Sequence, residues 1–383
     1  VFPSNGRRRG FTLAEMIVSA AILSLLAATM MSAVLIASHA LPVSDRASAV
    51  NAEAVEAVDQ IAADLMYAVT LTEPGSEAIT CTVADRGHGA PGDETIRYAW
   101  SGTAGDPLTR SYNGATPVTV CPSVRSFSIS YTKTTAALTH TPRVVLVVGN
   151  AGSLGSDDTQ RYDLLTSWGF DVVIQDDGAD SAAFDAVAAG ADVIYISERV
   201  LSYKFKDKAW NMSLGVVTEE GFLLSSYGIA DGSQTKSTSS MLILDSAHPI
   251  TAGFPEDWLT ICTTDDILYE CSDNLAPGAR ILATYDDSKA ALLTIELNDR
   301  LNDGQLANAR RVKLPWGGDY FFEHFKMVHL NDEAHTILRR AIVWAAAPVV
   351  YDAVHVTLQT TDDPASRAES DIQLLNQPEV SKP

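Results

Sequence analysis

The chain has 383 residues, a length that suits two or three domains rather than one. Its formal charge of −21, from 27 Lys and Arg against 48 Asp and Glu, argues against a nucleic-acid partner, since phosphate binding rests on clustered basic residues. A hydrophobic share of 46% with 20% charged residues excludes a largely disordered chain.

The first element is apolar. Three arginines, Arg7 to Arg9, run into Gly10, and from Met16 to Ser38 no residue is charged. At about 1.5 Å per residue such a run crosses a hydrocarbon core of about 30 Å, so residues 11–38 read as a membrane helix. The arginines lie before it and acidic residues dominate after it, which keeps the N-terminus cytoplasmic and sends everything beyond residue 40 outward. A secretory signal fits poorly, because the run is too long and the small residue precedes it. Glu15 stands inside the apolar run. A carboxylate there costs on the order of 3 kcal/mol, so its presence calls for a compensating partner.

After Pro42, which would kink or interrupt the rod, Ser44 or Asp45 can cap a restart. Val50, Ala54, Ala57, Val58, Ile61, Leu65 and Ala68 then recur at helical spacing. Residues 71–131 change texture. Short runs such as "AITCTVA", "TIRYAW", "LTRSY", "VTVC" and "SFSISY" alternate with turn-rich stretches, as in an antiparallel meander. Asp85, Asp93 and Glu94 share a loop without the alternating spacing of a calcium loop, so solvated turn carboxylates are expected and no metal.

From residue 141 the pattern becomes that of alternating strand and helix. "RVVLVVGN" is a continuous apolar strand, "DTQRYDLLTSWGF" a helix, "DVVIQD" a strand, "SAAFDAVAAG" a helix and "DVIYIS" a strand, as in a doubly wound α/β fold. "GVVTE", "SMLILD", "RILATY" and "AALLTIEL" read as further strands and "NDEAHTILRRAIVWAAA" as the closing helix. Gly149, Gly152 and Gly155 lie between a strand and a helix, but their spacing is not the dinucleotide fingerprint, and a plain turn is expected. Glu323, His324, His329 and His335 make no zinc motif. "GGDYFFEHF" has aromatics and carboxylates suited to a sugar cleft, with burial the plainer use. After residue 349, "DAVHVTLQTTDDPASRAESDIQLLNQP" returns to alternating, hairpin-like texture. "SFSISY" and "VHVTLQT" are expected to pair across the intervening segment, since chains tolerate insertions where loop ends lie close.

Cys81, Cys121, Cys262 and Cys271 would face an oxidising compartment, and four cysteines allow three connectivities. If disulfides follow domains, the pairs are Cys81 with Cys121 and Cys262 with Cys271.

The residues "GFTLAEMIVSAAIL" closely resemble the N-terminus of type IV pilins and of the pseudopilins of type II secretion. The resemblance implies cleavage by a prepilin peptidase between Gly10 and Phe11, methylation of the new N-terminus, and neutralisation of that amine by Glu15 of a neighbouring subunit. One departure is that the chain begins at Val1 rather than Met, consistent with an incompletely represented leader. "ETIRYAWSGTAGDPLTRSYNG" with "VRSFSISY", and the closing strands, resemble the β-domain of minor pseudopilins. "RVVLVVGN", "SWGFDVVIQD", "AHPITAGF", "RRVKLPWGG" and "ILRRAIVWAA" resemble ThuA-like domains, relatives of class I glutamine amidotransferases. Catalytic relatives place a Cys at a strand-to-helix elbow. Neither Cys262 nor Cys271 has that context, so no catalytic residue is expected.

The expectation is therefore an α+β pilin-like fold, a long N-terminal helix packed on an antiparallel sheet, with an inserted α/β flavodoxin-like doubly wound domain. Its parts are a leader at 1–10, a transmembrane and amphipathic helix at 11–70, β-domain segments at 71–140 and 350–383, and the insert at 141–349. The function expected is that of a minor pseudopilin or minor pilin, single-pass in the inner membrane with its bulk periplasmic and without cofactors. Its partners would be prepilin peptidase, other pilins or pseudopilins, and a secreted substrate or glycan. The rival is a membrane-anchored periplasmic α/β enzyme, a hydrolase or sugar-modifying domain.

Overall fold

The computed structural model describes residues 52–72, 75–87, 92–271, 274–285, 289–317, 325–361, 367–376 and 378–380. The membrane helix expected over residues 11–38 lies outside them. Among the described residues no helix is long and apolar enough to cross a membrane. The chain divides into two units, one drawn from Val1–Thr132 and Ala353–Asn376, the other from Lys133–Asp352 and Gln377–Pro383.

In the first unit, helix α1 (residues 52–65) buries Ala54, Ala57, Val58, Ile61 and Leu65, one stripe at spacings of three and four, and leaves Glu53, Val55 and Glu56 exposed. The meander follows as β1 (Ala68–Leu71), β2 (Ala78–Val83), β3 (Glu94–Ala99), β4 (Leu108–Tyr112), β5 (Val118–Cys121) and β6 (Val124–Thr135). β1 to β5 are joined antiparallel in chain order. Alternation sets which face is inward: Ile79, Cys81 and Val83 of β2, with Ile96 and Tyr98 of β3, are buried while their neighbours are not. Asn113 and Gly114 both take positive φ, the two-residue turn that lets β4 reverse, closed by the Ala115 amide donating to the Tyr112 carbonyl at 2.9 Å.

One polar contact locks α1 to this sheet. Asp64 points into the buried side, where its carboxylate accepts from Tyr98 Oη of β3 at 2.7 Å, Arg110 Nε of β4 at 2.9 Å and Arg86 Nη1 at 2.6 Å.

The second unit begins at β7 (Arg143–Val148), then α2 (Ser156–Ser167), β8 (Asp171–Asp176), α3 (Ser181–Ala188), β9 (Val193–Ile196), α4 (Ser202–Phe205) and β10 (Gly215–Thr218). β11 (Ser233–Thr238), β12 (Ser240–Ile243), β13 (Trp258–Thr260), β14 (Asp266–Cys271), β15 (Ala279–Thr284), β16 (Ala290–Ile295), β17 (Arg311–Lys313) and α5 (Asp332–Ala346) complete it. Nine strands form one sheet in the order β13-β12-β15-β16-β17-β10-β9-β7-β8, and β11 pairs with β14 as a separate ribbon. β8, β7, β9, β10 and β17 are parallel, whereas β16, β15, β12 and β13 continue the sheet antiparallel. The doubly wound pattern thus describes only part of a mixed sheet.

The apolar run of β7 serves both faces. Val144, Leu146 and Val148 enter the core shared with Leu165 of α2 and Ile337, Leu338, Ala341 and Ile342 of α5. Val145 and Val147 enter the opposite core with Phe184 of α3 and Phe205 of α4. Each such side chain contributes about 1.5–3 kcal/mol on burial. α5 starts at an Asn331 cap whose side chain accepts from the Ala334 amide. At its other end the Ala345 carbonyl oxygen lies where a Cβ on Gly215 would stand, so β10 begins with the one residue that lets the helix approach.

The chain then returns to the first unit through β18 (Val349–Thr360), which pairs with β6 and, antiparallel, with β19 (Arg367–Gln373); β20 (Glu379–Val380) bonds antiparallel to β18 at Val350. The pairing expected between "SFSISY" and "VHVTLQT" is present.

The expected disulfides are not formed: Cys81, Cys121, Cys262 and Cys271 are all free and buried. Cys81 on β2 and Cys121 on β5 have β3 and β4 between them, a separation of about 14 Å at three strand spacings, twice what a disulfide spans. Cys262 belongs to the core on one face of the mixed sheet and Cys271 to the core on the other. Burial, with Asp64 adding to it at Cys81 and Asp266 at Cys262, pushes those two thiols up to about 12, and burial raises Cys121 and Cys271 as well. At pH 8 the native chain should therefore resist iodoacetamide at all four positions, and alkylation counted by mass should reach four only in denaturant.

Replacing Asp64 with Ala should cost about 3 kcal/mol, because Arg86 and Arg110 lose their shared anion, whereas Glu56→Ala on the exposed face of α1 should change stability by less than about 0.5 kcal/mol. Urea unfolding monitored by circular dichroism measures both.

Candidate functional site

In an open parallel sheet, the place to look for a site is the crevice beyond the carboxyl ends of the strands where the winding reverses. Here β7 leads through α2 to β8 on one side, and β8 leads through α3 to β9 on the other, so the reversal lies between β7 and β9. Three segments meet there: the Gly149–Gly155 loop with the first turns of α2, Ser197 to Arg199 after β9, and Glu219 after β10.

Arg161 of α2 is wholly buried. Its Nε donates to Glu219 Oε2 at 2.8 Å, its Nη2 lies 2.6 Å from the same oxygen as an ion pair, and its Nη1 donates to Asp158 Oδ1 at 3.1 Å. Glu198 stands 3.8 Å from Nη2. The other oxygen of Glu219 accepts from Trp316 Nε1 at 2.7 Å and from the Tyr195 hydroxyl. Ser197 Oγ donates to Asp158 at 2.6 Å and accepts from the Arg199 amide at 3.1 Å. Arg199 Nη2 donates to Asp157 at 2.8 Å. Burial alone would lower the Arg161 pKa, but Glu219, Tyr195, Glu198 and Asp158 outweigh it and hold the value above the ordinary one. Burial, with the Glu219 charge added to it, drives Tyr195 well up, so its hydroxyl stays a donor.

A pocket of ≈ 370 Å³ opens beside this cluster, lined by Gly149, Ser153, Gly155, Asp157, Asp158 and Arg199 among others. Gly149 packs so closely on the Arg199 carbonyl that a Cβ would collide with it. The four carboxylates Asp157, Asp158, Glu198 and Glu219 face two guanidiniums, Arg161 and Arg199. The acidic excess opposes a phosphate at the α2 N-terminus despite its free amides. Carboxylates, a hydroxyl and one part-exposed guanidinium suit a neutral polar or cationic group instead.

Gly149, Gly152 and Gly155 thus form a plain loop into a helix: Asn150 Oδ1 accepts from the Gly152 amide at 3.1 Å, and Asp176 holds the Ala151 amide at 3.0 Å. Amides of Ala151 and Gly178 keep the Asp176 carboxyl below its ordinary value. His329 Nδ1 is hydrogen-bonded to Asp266 at 2.7 Å, and His335 lies on α5 near Asp332. Glu323 and His324 lie outside the described residues, as does most of "GGDYFFEHF"; of that stretch, Phe325 is fully buried. Asp85 accepts from the Gly87 and Gly92 amides, Asp93 is exposed, and Glu94 is buried on β3. Among the described residues, no three His, Cys, Asp or Glu side chains are grouped to hold a metal ion.

The charged cluster escaped sequence reasoning. The available signal was the acids directly after apolar strands, "ISER" and "VTEEG", since such positions face the crevice in a parallel sheet.

Arg161→Met should destabilise the chain by about 3–5 kcal/mol, because buried carboxylates lose their counter-charge. Denaturant titration reads this directly, and a change under 1 kcal/mol would show that water reaches the cluster.

Gly10, Phe11 and Glu15 lie outside the described residues. They fall within residues 5–31, which match the family model of the prokaryotic N-terminal methylation motif, a prepilin-type segment. No curated protein matches the chain.

Proposed function

We propose that this chain is a minor pseudopilin or minor pilin subunit of a type II secretion or type IV pilus-like machine, whose α/β unit serves recognition rather than turnover. The observation that carries the reading is the methylation motif over residues 5–31, with Gly10, Phe11 and Glu15 inside it. The motif implies processing by prepilin peptidase, a membrane-anchored N-terminus and assembly with other pilins. Glu15 would then meet the methylated amine of Phe11 on a neighbouring subunit, which offsets the cost of a carboxylate in an apolar helix.

The first unit supports this reading, since α1 lies on an antiparallel sheet through Asp64 and its apolar stripe. The second unit supports recognition. Glu219 is saturated by Arg161, Tyr195 and Trp316, and the two thiols on this unit are held protonated by burial. The pocket beside Asp157 and Asp158 would receive a polar group of a secreted substrate, a partner or a glycan. That same pocket favours a second reading, a membrane-anchored α/β enzyme. Hydrolysis of a substrate panel abolished by Asp157→Asn would establish it in place of the first.

In cells with an active prepilin peptidase, intact-mass analysis should find Phe11 as the N-terminus, heavier by one methyl group. Glu15→Val should leave membrane fractionation unchanged and lower co-purification with other pilins by about tenfold or more, the loss of one ionic contact in an apolar setting. An unprocessed chain, or full assembly of the variant, overturns the reading.

A further inference from the structure

A second cavity of the α/β unit lies along α5, on the side of Pro249 and Trp344, and has a volume of ≈ 610 Å³. That is within the range of about 300–1,000 Å³ usual for small-molecule sites. Leu138, Pro249, Val343 and Trp344 supply apolar walls, and Arg339 and Arg340 join them from the helix. Val343 is 39% exposed, an apolar side chain left open on a helix whose inner face is otherwise covered. The Trp344 wall is braced by Arg310 stacked 4.3 Å from its ring centroid and by the His248 ring at 5.0 Å.

The charges at this groove are unusual for so acidic a chain. Arg340 donates to the Ala252 carbonyl at 2.6 Å and the Ile250 carbonyl at 3.4 Å, and lies over the Phe254 ring; all three partners are neutral. Arg339 is exposed and has no hydrogen-bond or ion-pair partner among the described residues. Arg310 is answered by Glu296, and burial holds His248 down to about 4, so neither adds net charge at neutral pH. The acids on the same helix, Asp332 and Glu333, sit in its first turn, about 10 Å along the axis from Arg339. Two guanidiniums without a carboxylate therefore border an apolar groove.

We propose that this groove binds a small free organic acid, one carboxylate on an apolar body. The body would lie between Leu138, Pro249 and Trp344 while the carboxylate takes the paired donors of Arg339, a geometry that a guanidinium matches and an amide does not. This site is separate from the crevice at Asp157 and Asp158 and does not depend on the assembly role.

The test is calorimetry on the full chain in lipid nanodiscs, with 3-phenylpropionate and octanoate as probes and 3-phenylpropionamide as the uncharged control. At least one acid should bind, and 3-phenylpropionamide should bind about tenfold more weakly than 3-phenylpropionate, or worse. Arg339→Gln should weaken the acids by a similar factor, and Val343→Glu should abolish them by placing a like charge at the mouth. Both positions are exposed, so thermal unfolding of the variants should match the parent. Equal binding of acid and amide, unchanged binding in Arg339→Gln, or no heat from either acid at millimolar concentration overturns the proposal. So does a peptide with a free C-terminus binding where neither small acid does.

Discussion

A guanidinium cannot shed its proton inside a protein, so burying Arg161 completely obliges the fold to bring anions to it. Glu219 comes from the end of β10, Asp158 from its own helix and Glu198 from the end of β9. Those three sources are the elements that bound the crevice. The charge therefore fixes the distance of α2 from two strand ends more narrowly than apolar packing would, because directional hydrogen bonds tolerate less drift than van der Waals contact. Tyr195 and Trp316 complete the arrangement at the other oxygen of Glu219, and Ser197 does so at Asp158. A hydrophobic replacement of the whole cluster could be as stable. What the ionic version secures is geometry at the mouth of the pocket.

The first unit uses the opposite sign for the same purpose. Asp64 is a buried anion that gathers Arg86, Arg110 and Tyr98, so α1 is held in register along the sheet as well as against it. The first half of the stripe specifies position along the helix axis only loosely, since Ala54, Ala57 and Val58 are small and similar. One carboxylate removes that freedom. In both units a helix is located by a single charged residue and only seated by its apolar face.

Elements whose burial is apolar were legible in the sequence. β2, β3 and β6 are legible as short runs between turn-rich stretches, β7 as an unbroken apolar run, β9 as the strand after a helix, and α5 as the closing helix. α2 was found as a helix, but its inward face was not, because the buried residues are Asp157, Asp158, Arg161 and Leu165. A search for apolar periodicity reads such a face as solvent-exposed. β17 was missed for a related reason: Arg311 and Lys313 look like surface residues, yet both are buried and donate to backbone carbonyls, Arg311 to Tyr227 at 2.8 Å and Lys313 to Ala291 at 2.8 Å. Burial lowers Lys313 to about 8. The cysteine pairs failed because sequence distance says nothing about which strands lie between two positions. Sites made of charges are thus the least visible from sequence, since the same residue types on the surface carry no information.

The pairing of β6 with β18 has a temporal consequence. Ser126 and Gln359, hydrogen-bonded at 3.4 Å, are separated by 233 residues, which a ribosome adds in roughly ten to fifty seconds. During that interval β6 has no β18 to pair with, while β7 to β17 emerge as one uninterrupted run able to complete their own sheet. Closing so long a loop as flexible chain would cost about 5 kcal/mol, and prior folding of the intervening residues removes most of that cost. The order of synthesis therefore makes the later-starting unit the earlier one to mature. A chain severed in the stretch before β18 would carry the complete β7 to β17 sheet but a β6 without its partner, so completion of the first unit reports that the polypeptide has been made through β18.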